Sequence, residues 1–426
     1  MKKTILALLV FMVFTCLLLP QQEYVLRIQK GMPSIPLAIP DFLVRGDSAE
    51  LQQAAADIHT VFQADMAYSR IFNPLPANYY KWIRALDTND LHFKDWESIQ
   101  ARLLVVGEVS QEGADILFEA KVYDVRSERF IFGKRYQAEK SLLREAAHRL
   151  SNEIMRIHGE TEIFTTKIVF VSNRDGNDEI YMMDYDGYNQ TRLTFNTLKD
   201  YMPAWTTDGK GVAFTSYRDQ RAELRILYPW EGRVTTLDAQ GTNWAPNFSA
   251  DGKKLAFSST LIAGNSEIYT ADADGKNIKR LTINNAADTA PCWSPTSRQM
   301  AFTSDRSGTP QIYTMDAEGS NVRRVSFGGT YHDAPAWSPD GDRIAYVSRV
   351  DQIFDIYILN LSSQQIIKLT ESYARNESPT WSPDGRHVIF TSTRSGTIQI
   401  YSMDYDGKNV RKLTSQGENK LPDWSR

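Results

Sequence analysis

A unit of 44 residues recurs six times in the second half of the chain, and this repeat limits the possible folds more than any other feature. A leucine or valine that opens a Leu-Thr-like dipeptide stands at positions 193, 237, 281, 325, 369 and 413. A branched apolar residue follows the same period at positions 180, 224, 268, 312, 356 and 400. A third series places an aromatic residue two positions after a proline, at Trp205, Phe248, Trp293, Trp337, Trp381 and Trp424. Three registers with one period predict a repeat architecture.

Each repeat has the pattern of four short strands. In one copy, alternating apolar residues or β-branched and aromatic residues occupy 336–338, 343–348, 355–359 and 366–369. Asp-Gly pairs follow the first and third strands of most copies, and glycine supplies the positive φ that tight hairpins require. Four antiparallel strands at this period are typical of a β-propeller blade, so the second half is predicted to be an all-β six-bladed propeller.

The phase of the repeat predicts how the propeller closes. The first copy begins at 167–170 and lacks the Pro-x-Trp strand, whereas 421–426 contain that strand and nothing more. We therefore expect the C-terminal strand to pair into the first blade, which leaves no blade incomplete.

The first half is predicted to be a separate α/β domain. Expected strands are 35–42, 103–108, 116–123 and 129–136, and expected helices are 49–62, capped by Asp47-Ser48, and 143–157. His148 and His158 lie off the apolar stripe of the second helix, so they are interpreted as polar surface or domain-interface residues. The predicted boundaries are 1–22 for a signal peptide, 23–160 for the α/β domain and 161–426 for the propeller.

The N-terminus has the pattern of a secretory signal. Lys2 and Lys3 precede the apolar run 5–19, whose length fits a signal-peptide core and is short for a membrane span. Lipidation at Cys16 and an uncleaved anchor are the two alternatives. All three place the rest of the chain across the inner membrane, in the periplasm.

Composition and motifs argue against several function classes. Lys plus Arg total 48 and Asp plus Glu total 52, which gives no basic bias toward nucleic acid. The two cysteines, Cys16 and Cys292, exclude a disulfide framework, and Cys292 is interpreted as a small buried residue. The six histidines show no metal-ligand spacing, and no nucleophile elbow or phosphate-binding loop occurs. The sequence therefore predicts a binding protein rather than an enzyme, with no cofactor and no metal.

The longer loops of the propeller are predicted to lie on one face, around the mouth of the central channel. Each of the six loops approaches that mouth at a pair of adjacent residues. The Asp, Asn or His that opens each pair is expected mainly to form a hydrogen bond with the loop backbone. The candidate site for a partner at this mouth consists of Tyr201, Trp244, Thr289, His332, Asp333 and Glu377.

Motifs in both halves resemble one known family. In the propeller they are 381–385, 389–390, 399–404 and 412–414, which resemble the TolB-type repeat. Upstream, 105–107, 122–124, 143–150 and 159–164 resemble the TolB amino-terminal domain, in the same order. The resemblance covers nearly the whole chain after the N-terminal signal.

This resemblance implies a periplasmic, non-enzymatic protein of the trans-envelope Tol-Pal system, which supports outer-membrane integrity and constriction during cell division. In the family, the mature N-terminus binds TolA and the propeller mouth binds the peptidoglycan-associated lipoprotein Pal. By that resemblance the TolA-like site is Tyr24, Val25, Leu26, Arg27 and Ile28, an alternating segment able to add to a sheet edge. A monomer is expected.

Two other functions remain open at this point. The chain could be a propeller sensor or scaffold outside a Tol-Pal system. It could also be a propeller hydrolase or lyase, which would need a Ser-His-Asp set or channel metal ligands that the sequence does not show.

Overall fold

The chain folds as an α/β unit followed by six four-stranded sheets that form a β-propeller. The structure is a computed structural model, and it describes residues 34–84, 86, 88, 90–218, 221–262, 264–371 and 373–426. The predicted signal peptide, Cys16 and the segment Tyr24–Ile28 lie outside the described residues. Within the described part, no helix is both long and apolar enough to cross a membrane.

The α/β unit has one mixed sheet with two long helices on one face. Its strands are β1 Ile35–Ala38, β2 Leu43–Arg45, β3 Phe72–Pro74, β4 Leu103–Glu112, β5 Asp115–Asp124 and β6 Arg129–Ala138. Its helices are α1 Ala49–Tyr68, α2 Phe93–Ser98 and α3 Leu143–Ile157, with 3-10 turns at Ala77–Trp82 and Lys140–Leu142. The sheet order is β3-β1-β4-β5-β6, and β2 also pairs with β4.

Helix α1 begins where the sequence predicts and continues for six residues beyond the predicted end at Phe62. The Ser48 Oγ accepts a hydrogen bond from the Glu50 N–H, which satisfies one free donor of the first turn. The buried stripe continues through Asp65, Met66 and Tyr68, so packing against α3 and the propeller extends the helix.

The prediction of one continuous strand over 35–42 is wrong, because the strand ends at Ala38. The chain forms β1 and β2 instead, separated by a segment that contains Pro40. Proline has no backbone N–H to donate to a ladder, and β1 lies between two parallel neighbours that use its remaining backbone groups.

The propeller has six sheets, each with its innermost strand first. Blades 1 to 3 are β30 Asn419–Trp424, β7 Lys167–Ser172, β8 Glu179–Asp184 and β9 Thr191–Arg192; β10 Lys199–Trp205, β11 Val212–Arg218, β12 Arg221–Tyr228 and β13 Arg233–Thr236; and β14 Asn243–Phe248, β15 Lys254–Ser259, β16 Glu267–Asp272 and β17 Lys279–Arg280. Blades 4 to 6 are β18 Asp288–Trp293, β19 Gln299–Ser304, β20 Gln311–Asp316 and β21 Arg323–Arg324; β22 His332–Trp337, β23 Arg343–Val350, β24 Ile353–Asn360 and β25 Ile366–Lys368; and β26 Asn376–Trp381, β27 His387–Ser392, β28 Gln399–Asp404 and β29 Arg411–Lys412.

The predicted closure is confirmed. Strand β30 pairs antiparallel with β7, with Asn419 opposite Ser172 and Trp424 opposite Ile168. The Ser425 N–H donates to the Lys167 carbonyl over 2.8 Å, and the Lys167 N–H donates to the Ser425 Oγ over 2.9 Å. Blade 1 therefore takes its inner strand from the end of the chain.

A bulge occurs at the same place in every inner strand. The residue before the proline that recurs in each repeat has a positive φ of 50–54°. These residues are Met202, Ala245, Ala290, Ala334, Ser378 and Leu421. The bulge directs the residue after the proline into the channel and sends the following aromatic ring between blades. Five of these six aromatic residues are buried, which confirms that they pack between blades; Trp337 is half-buried.

The α/β unit contacts the propeller at the face that carries the Asp-Gly turns, which we call the tight-turn face. At blade 1 the Tyr185 hydroxyl donates to the Asp65 Oδ1 over 2.5 Å, and the His148 Nδ1 lies 2.8 Å from the Asp65 Oδ2. At blade 6 the Arg70 Nε lies 3.0 Å from the Asp404 Oδ2. His148 is thus a buried domain-interface residue rather than a surface one, and the contacts of the described part of this unit lie on the tight-turn face.

Candidate partner interface at the propeller mouth

The mouth of the channel is built on polar residues that open each inner strand. Asp200, Asn243, Asp288, His332, Asn376 and Asn419 occupy this position and are all buried. Asp288 accepts hydrogen bonds from Arg306 and Asn284, each over 2.8 Å, and so ties its loop to the neighbouring hairpin. Asp200 accepts from the Ser216 Oγ over 2.7 Å, and burial raises the pKa of its carboxyl. These side chains hold the loops in place, as the sequence interpretation expects.

His332 lies below the surface of the mouth. It is 2% exposed, its Nε2 lies 3.1 Å from the Gly328 carbonyl oxygen, and its ring meets Tyr346 edge-on at 5.2 Å. Burial lowers its pKa to about 4, because charging an enclosed imidazole costs solvation. His332 is therefore a neutral supporting residue whose side chain is buried, whereas the other five candidate residues are half-buried.

The candidate residues Tyr201 and Trp244 stand on adjacent blades and are half-buried. The Tyr201 hydroxyl donates to the Asp178 Oδ2 over 2.5 Å, and the Lys420 Nζ lies 3.0 Å from the Asp178 Oδ1. Lys420 also lies 4.9 Å from the centre of the Tyr201 ring. Burial, followed by the bond to Asp178, raises the pKa of the Tyr201 hydroxyl, so the ring stays neutral and fixed in orientation.

The remaining candidates form the acidic side of the mouth. Asp333 accepts hydrogen bonds from the Thr303 Oγ1 and the Tyr331 hydroxyl, each over 2.8 Å. Glu377 accepts two hydrogen bonds from the Arg375 guanidinium, from Nε over 2.5 Å and from Nη2 over 2.8 Å. Thr289 is half-buried opposite Thr303 in the ladder. These groups are pre-oriented, which reduces the entropy lost when a partner binds.

Four large apolar residues on the loops between blades were missed by the sequence reasoning. They belong to the face that carries the mouth, which we call the loop face. Their exposed fractions are 75% for Phe195, 78% for Ile283, 55% for Phe327 and 100% for Tyr373. Three of them occupy one repeat position, where the other copies have Ala239, Glu371 and Ser415, so comparing repeats could have revealed them. Single exposed apolar residues are ordinary, but several around one channel mouth mark an interaction surface.

The tight-turn face is partly covered by the α/β unit. Besides the α/β unit, it carries exposed charged turns in which lysines pair with nearby aspartates, as Lys276 does with Asp274 and Lys408 with Asp406, each at 2.8 Å. Isolated surface pairs of this kind contribute little to binding. Trp230 and Tyr188 are also exposed on turns of this face, at 62% and 58%, so exposed apolar residues occur on both faces. The loop face is the better candidate for a partner because the α/β unit contacts the tight-turn face.

The geometry defines a class of protein: an α/β unit docked on one face of a six-bladed propeller whose opposite, loop face exposes apolar residues. No group of three or more His, Cys, Asp or Glu side chains in the described ranges is arranged to hold a metal.

Comparison with known proteins gives the family. The TolB beta propeller domain matches residues 154–354 and 330–426, and the TolB amino-terminal domain matches residues 25–131. The chain belongs to the TolB family.

Individual relatives agree with this assignment. The chain is 33% identical over 290 residues to the Tol-Pal system protein TolB of Desulfosudis oleivorans, which covers 66% of this chain and 65% of that protein. It is also 33% identical over 287 residues to the protein TolB homolog of Chlorobium chlorochromatii, over 67% of this chain and 64% of the relative. The match thus spans less than two thirds of either relative's own length. The crystal structure of TolB from Acinetobacter baumannii superposes with a TM-score of 0.78 at 25% identity, covering 92% of this chain and 96% of that one.

Proposed function

We propose that this chain is a periplasmic partner-binding component of a Tol-Pal system and that its loop face binds a Pal-like peptidoglycan-associated lipoprotein. Family membership supports the system, because a relative of this chain is named a Tol-Pal system protein. In this role the protein helps to maintain outer-membrane integrity and supports constriction during cell division. It acts by binding rather than by catalysis.

The observation that carries the proposal is the exposed apolar set around the mouth. Phe195, Ile283, Phe327 and Tyr373 surround a polar centre made of Tyr201, Trp244, Thr289, Asp333 and Glu377. Aromatic and apolar anchors with ordered polar groups are what a specific protein interface requires. The described part of the α/β unit, from residue 34 onward, docks on the opposite face, which supports direct approach of a folded partner to the loop face.

A second partner is proposed for the N-terminal segment. Tyr24, Val25, Leu26, Arg27 and Ile28 have the alternation of a segment that can add a strand to a TolA-like inner-membrane protein. The apolar run 5–19 behind Lys2 and Lys3 supports export to the periplasm, where such a partner is reached.

Binding measurements with both partners test the proposal. We expect the mature protein to bind the soluble domain of a Pal-like lipoprotein from the same organism, and Phe327→Ser to weaken that binding by about tenfold. The matched control is Tyr79→Ser, an exposed aromatic residue on the α/β unit, which should leave Pal-like binding unchanged. Equal affinity of both variants and the parent protein would move the site away from the loop face.

The TolA-like arm is tested separately by calorimetry with a TolA-like C-terminal domain. Deletion of residues 22–31 should abolish TolA-like binding and preserve Pal-like binding. Retained TolA-like binding by the shortened protein would eliminate the segment as the site. If neither partner binds the parent protein, a scaffold outside a Tol-Pal system becomes the better reading.

A further inference from the structure

The central channel contains a cavity at the end opposite the loop face. Its volume is about 390 Å³, which lies in the range of small-molecule sites. Six aromatic residues, one from each blade, line it: Trp205, Phe248, Trp293, Trp337, Trp381 and Trp424. Thr161, in the segment that joins the α/β unit to the propeller, lies at its edge. The cavity is therefore separate from the mouth that we propose for a lipoprotein.

The ring of residues that follows the prolines is polar in only some blades. In blade 3 the Asn247 Oδ1 accepts a hydrogen bond from the backbone N–H of Trp293 in the next blade over 2.9 Å. In blade 4 the Cys292 Sγ accepts one from the backbone N–H of Trp337 over 3.3 Å. In blade 1 the Asp423 Oδ2 accepts the Trp205 N–H over 2.8 Å. These side chains bridge neighbouring blades, but only blade 1 uses an ionisable carboxyl.

Cys292 is partly buried rather than fully buried as predicted, and it lines this cavity. Its environment raises the pKa of the thiol to about 11, mainly by burial, so the thiol is neutral and contributes no charge. The charged groups at the cavity are therefore Asp423 and Arg426.

Asp423 has neutral hydrogen-bond partners at this cavity. Its Oδ2 accepts the Trp205 backbone N–H over 2.8 Å, its Oδ1 lies 3.5 Å from the Thr380 Oγ1, and its carboxyl also accepts the Trp424 backbone N–H. Among the described residues it has no lysine, arginine or histidine within ion-pair distance, and Arg426 lowers its pKa only through space. Burial raises the pKa of Asp423 to about 6, as expected for a carboxylate that lacks a close counter-ion.

We propose that this cavity binds a small organic cation. The ligand is an alkylammonium compound whose charge pairs with Asp423 and whose alkyl groups lie against the six aromatic residues that line the cavity. The chemistry is complementary on both counts, because a partly desolvated carboxylate attracts a cation and aromatic faces stabilise ammonium groups. One of these rings already makes such a contact away from the cavity, because the Arg343 guanidinium lies 4.8 Å from the centre of the Trp381 ring. An inorganic cation would gain the carboxylate but not the apolar wall, so the lining favours an organic one.

Choline and its neutral isostere, 3,3-dimethyl-1-butanol, provide the test. Each would be titrated into the full-length mature protein at pH 8 and constant ionic strength, followed by tryptophan fluorescence and calorimetry. We expect saturable choline binding that is at least about tenfold tighter than binding of the neutral isostere. No saturation up to 50 mM choline, or equal binding of both compounds, would overturn the proposal.

Two variants assign the charge to Asp423. Asp423→Asn should fold, because Asn247 makes the equivalent inter-blade bond in blade 3, and it should lose the preference for choline over the isostere. Cys292→Ser, at the same wall, should keep that preference and serves as the matched control. Choline binding to the parent protein should also weaken between pH 8 and pH 5 as Asp423 takes up a proton, whereas the Cys292 thiol stays neutral in that range. Undiminished preference in Asp423→Asn would refute the assignment. Loss of lipoprotein binding would not affect this test, because the two sites lie at opposite ends of the channel.

Discussion

The ring of Tyr68, in the last turn of α1, stacks on the ring of His387 in blade 6 with centroids 3.9 Å apart and planes inclined by 9°. Both side chains are buried, and the Arg411 guanidinium lies 4.8 Å from the centre of the Tyr68 ring. A helix of one unit and a strand of the other thus share one packed aromatic contact. This contact, with the Asp65–Tyr185 bond at blade 1, fixes the α/β unit at two blades of the ring.

The first prediction concerns this contact. Tyr68→Ala should lower the free energy of unfolding by about 3 kcal/mol, because it opens a cavity between two packed units. It should also speed proteolysis in the segment 158–166, which we would follow by limited digestion and mass spectrometry. Tyr79→Ala, on an exposed 3-10 turn, is the control and should change neither quantity. Unchanged cleavage in Tyr68→Ala would show that the two units do not depend on the stack.

The second prediction concerns closure. Deleting residues 421–426 should lower the melting temperature of the propeller far more than loss of a surface tail would, because it removes most of the inner strand of blade 1. Deletion of Arg426 alone is the control, since that residue is exposed and lies outside β30. Thermal unfolding followed by circular dichroism would distinguish the two. Matching curves for the longer deletion and the parent protein would contradict the closure.

The third prediction uses the pKa of Asp423. Its folded-state pKa is raised to about 6 from an ordinary value near 3.8, so the folded protein binds this proton more tightly than the unfolded chain does. Its contribution to stability is therefore fully present below about pH 4 and is lost as the pH rises through 6. Asp423→Asn keeps an acceptor for the Trp205 N–H and has no charge to bury, so it should be more stable than the parent by about 2 kcal/mol at pH 8 and nearly equal at pH 4.

The reciprocal variant is the control for that measurement. Asn247→Asp places a carboxyl at the equivalent position of blade 3 and should introduce a similar loss of stability between pH 4 and pH 8. Denaturant melts of both variants across this range would check the sign. A parent-like pH profile for Asp423→Asn would show that the raised pKa does not reflect a folding cost.

The fourth prediction concerns the centre of the mouth. Trp244→Ala should weaken binding of a Pal-like lipoprotein by tenfold or more, because tryptophan at an interface centre often contributes 2 kcal/mol or more, on the order of tens of fold. Trp82→Ala, 88% exposed on the α/β unit, is the matched control and should bind normally. Tyr201→Ala should reduce both binding and stability, since it also breaks the bond to Asp178. Surface plasmon resonance and melting curves measure the two effects.

The repeat made the propeller predictable from sequence alone. Positions such as Ile356 and Trp381 recur at a fixed period because every blade buries the same side chains, and the missing strand of the first copy revealed the role of Trp424. The mixed sheet was less predictable. Pro36 and Pro40 interrupt the strand pattern of the sequence around two short strands, β1 and β2. The strands that pair with them lie far along the chain.

The candidate site was only partly predictable for a different reason. Sequence spacing placed Tyr201, Trp244 and His332 at the mouth, but burial of each side chain depends on loop geometry that spacing does not encode. His332 is enclosed by its own loop and Tyr346, whereas Phe195 and Tyr373 are left in solvent. Contacts between units, such as that of Tyr185 with Asp65, join residues 120 positions apart and have no local signature.

The pairing of β30 with β7 also sets an order of events for a chain that is synthesised from its N-terminus. Lys167 and Trp424 belong to one blade, yet the bonds between these strands join residues separated by up to 258 positions. Until the last segment arrives, β7 has an unpaired inner edge that any other extended chain can occupy. Blades 2 to 6 can therefore form in chain order, whereas blade 1 stays incomplete until β30 has been made. The interval between synthesis of β7 and synthesis of β30 is the time when the protein is most exposed to mispairing.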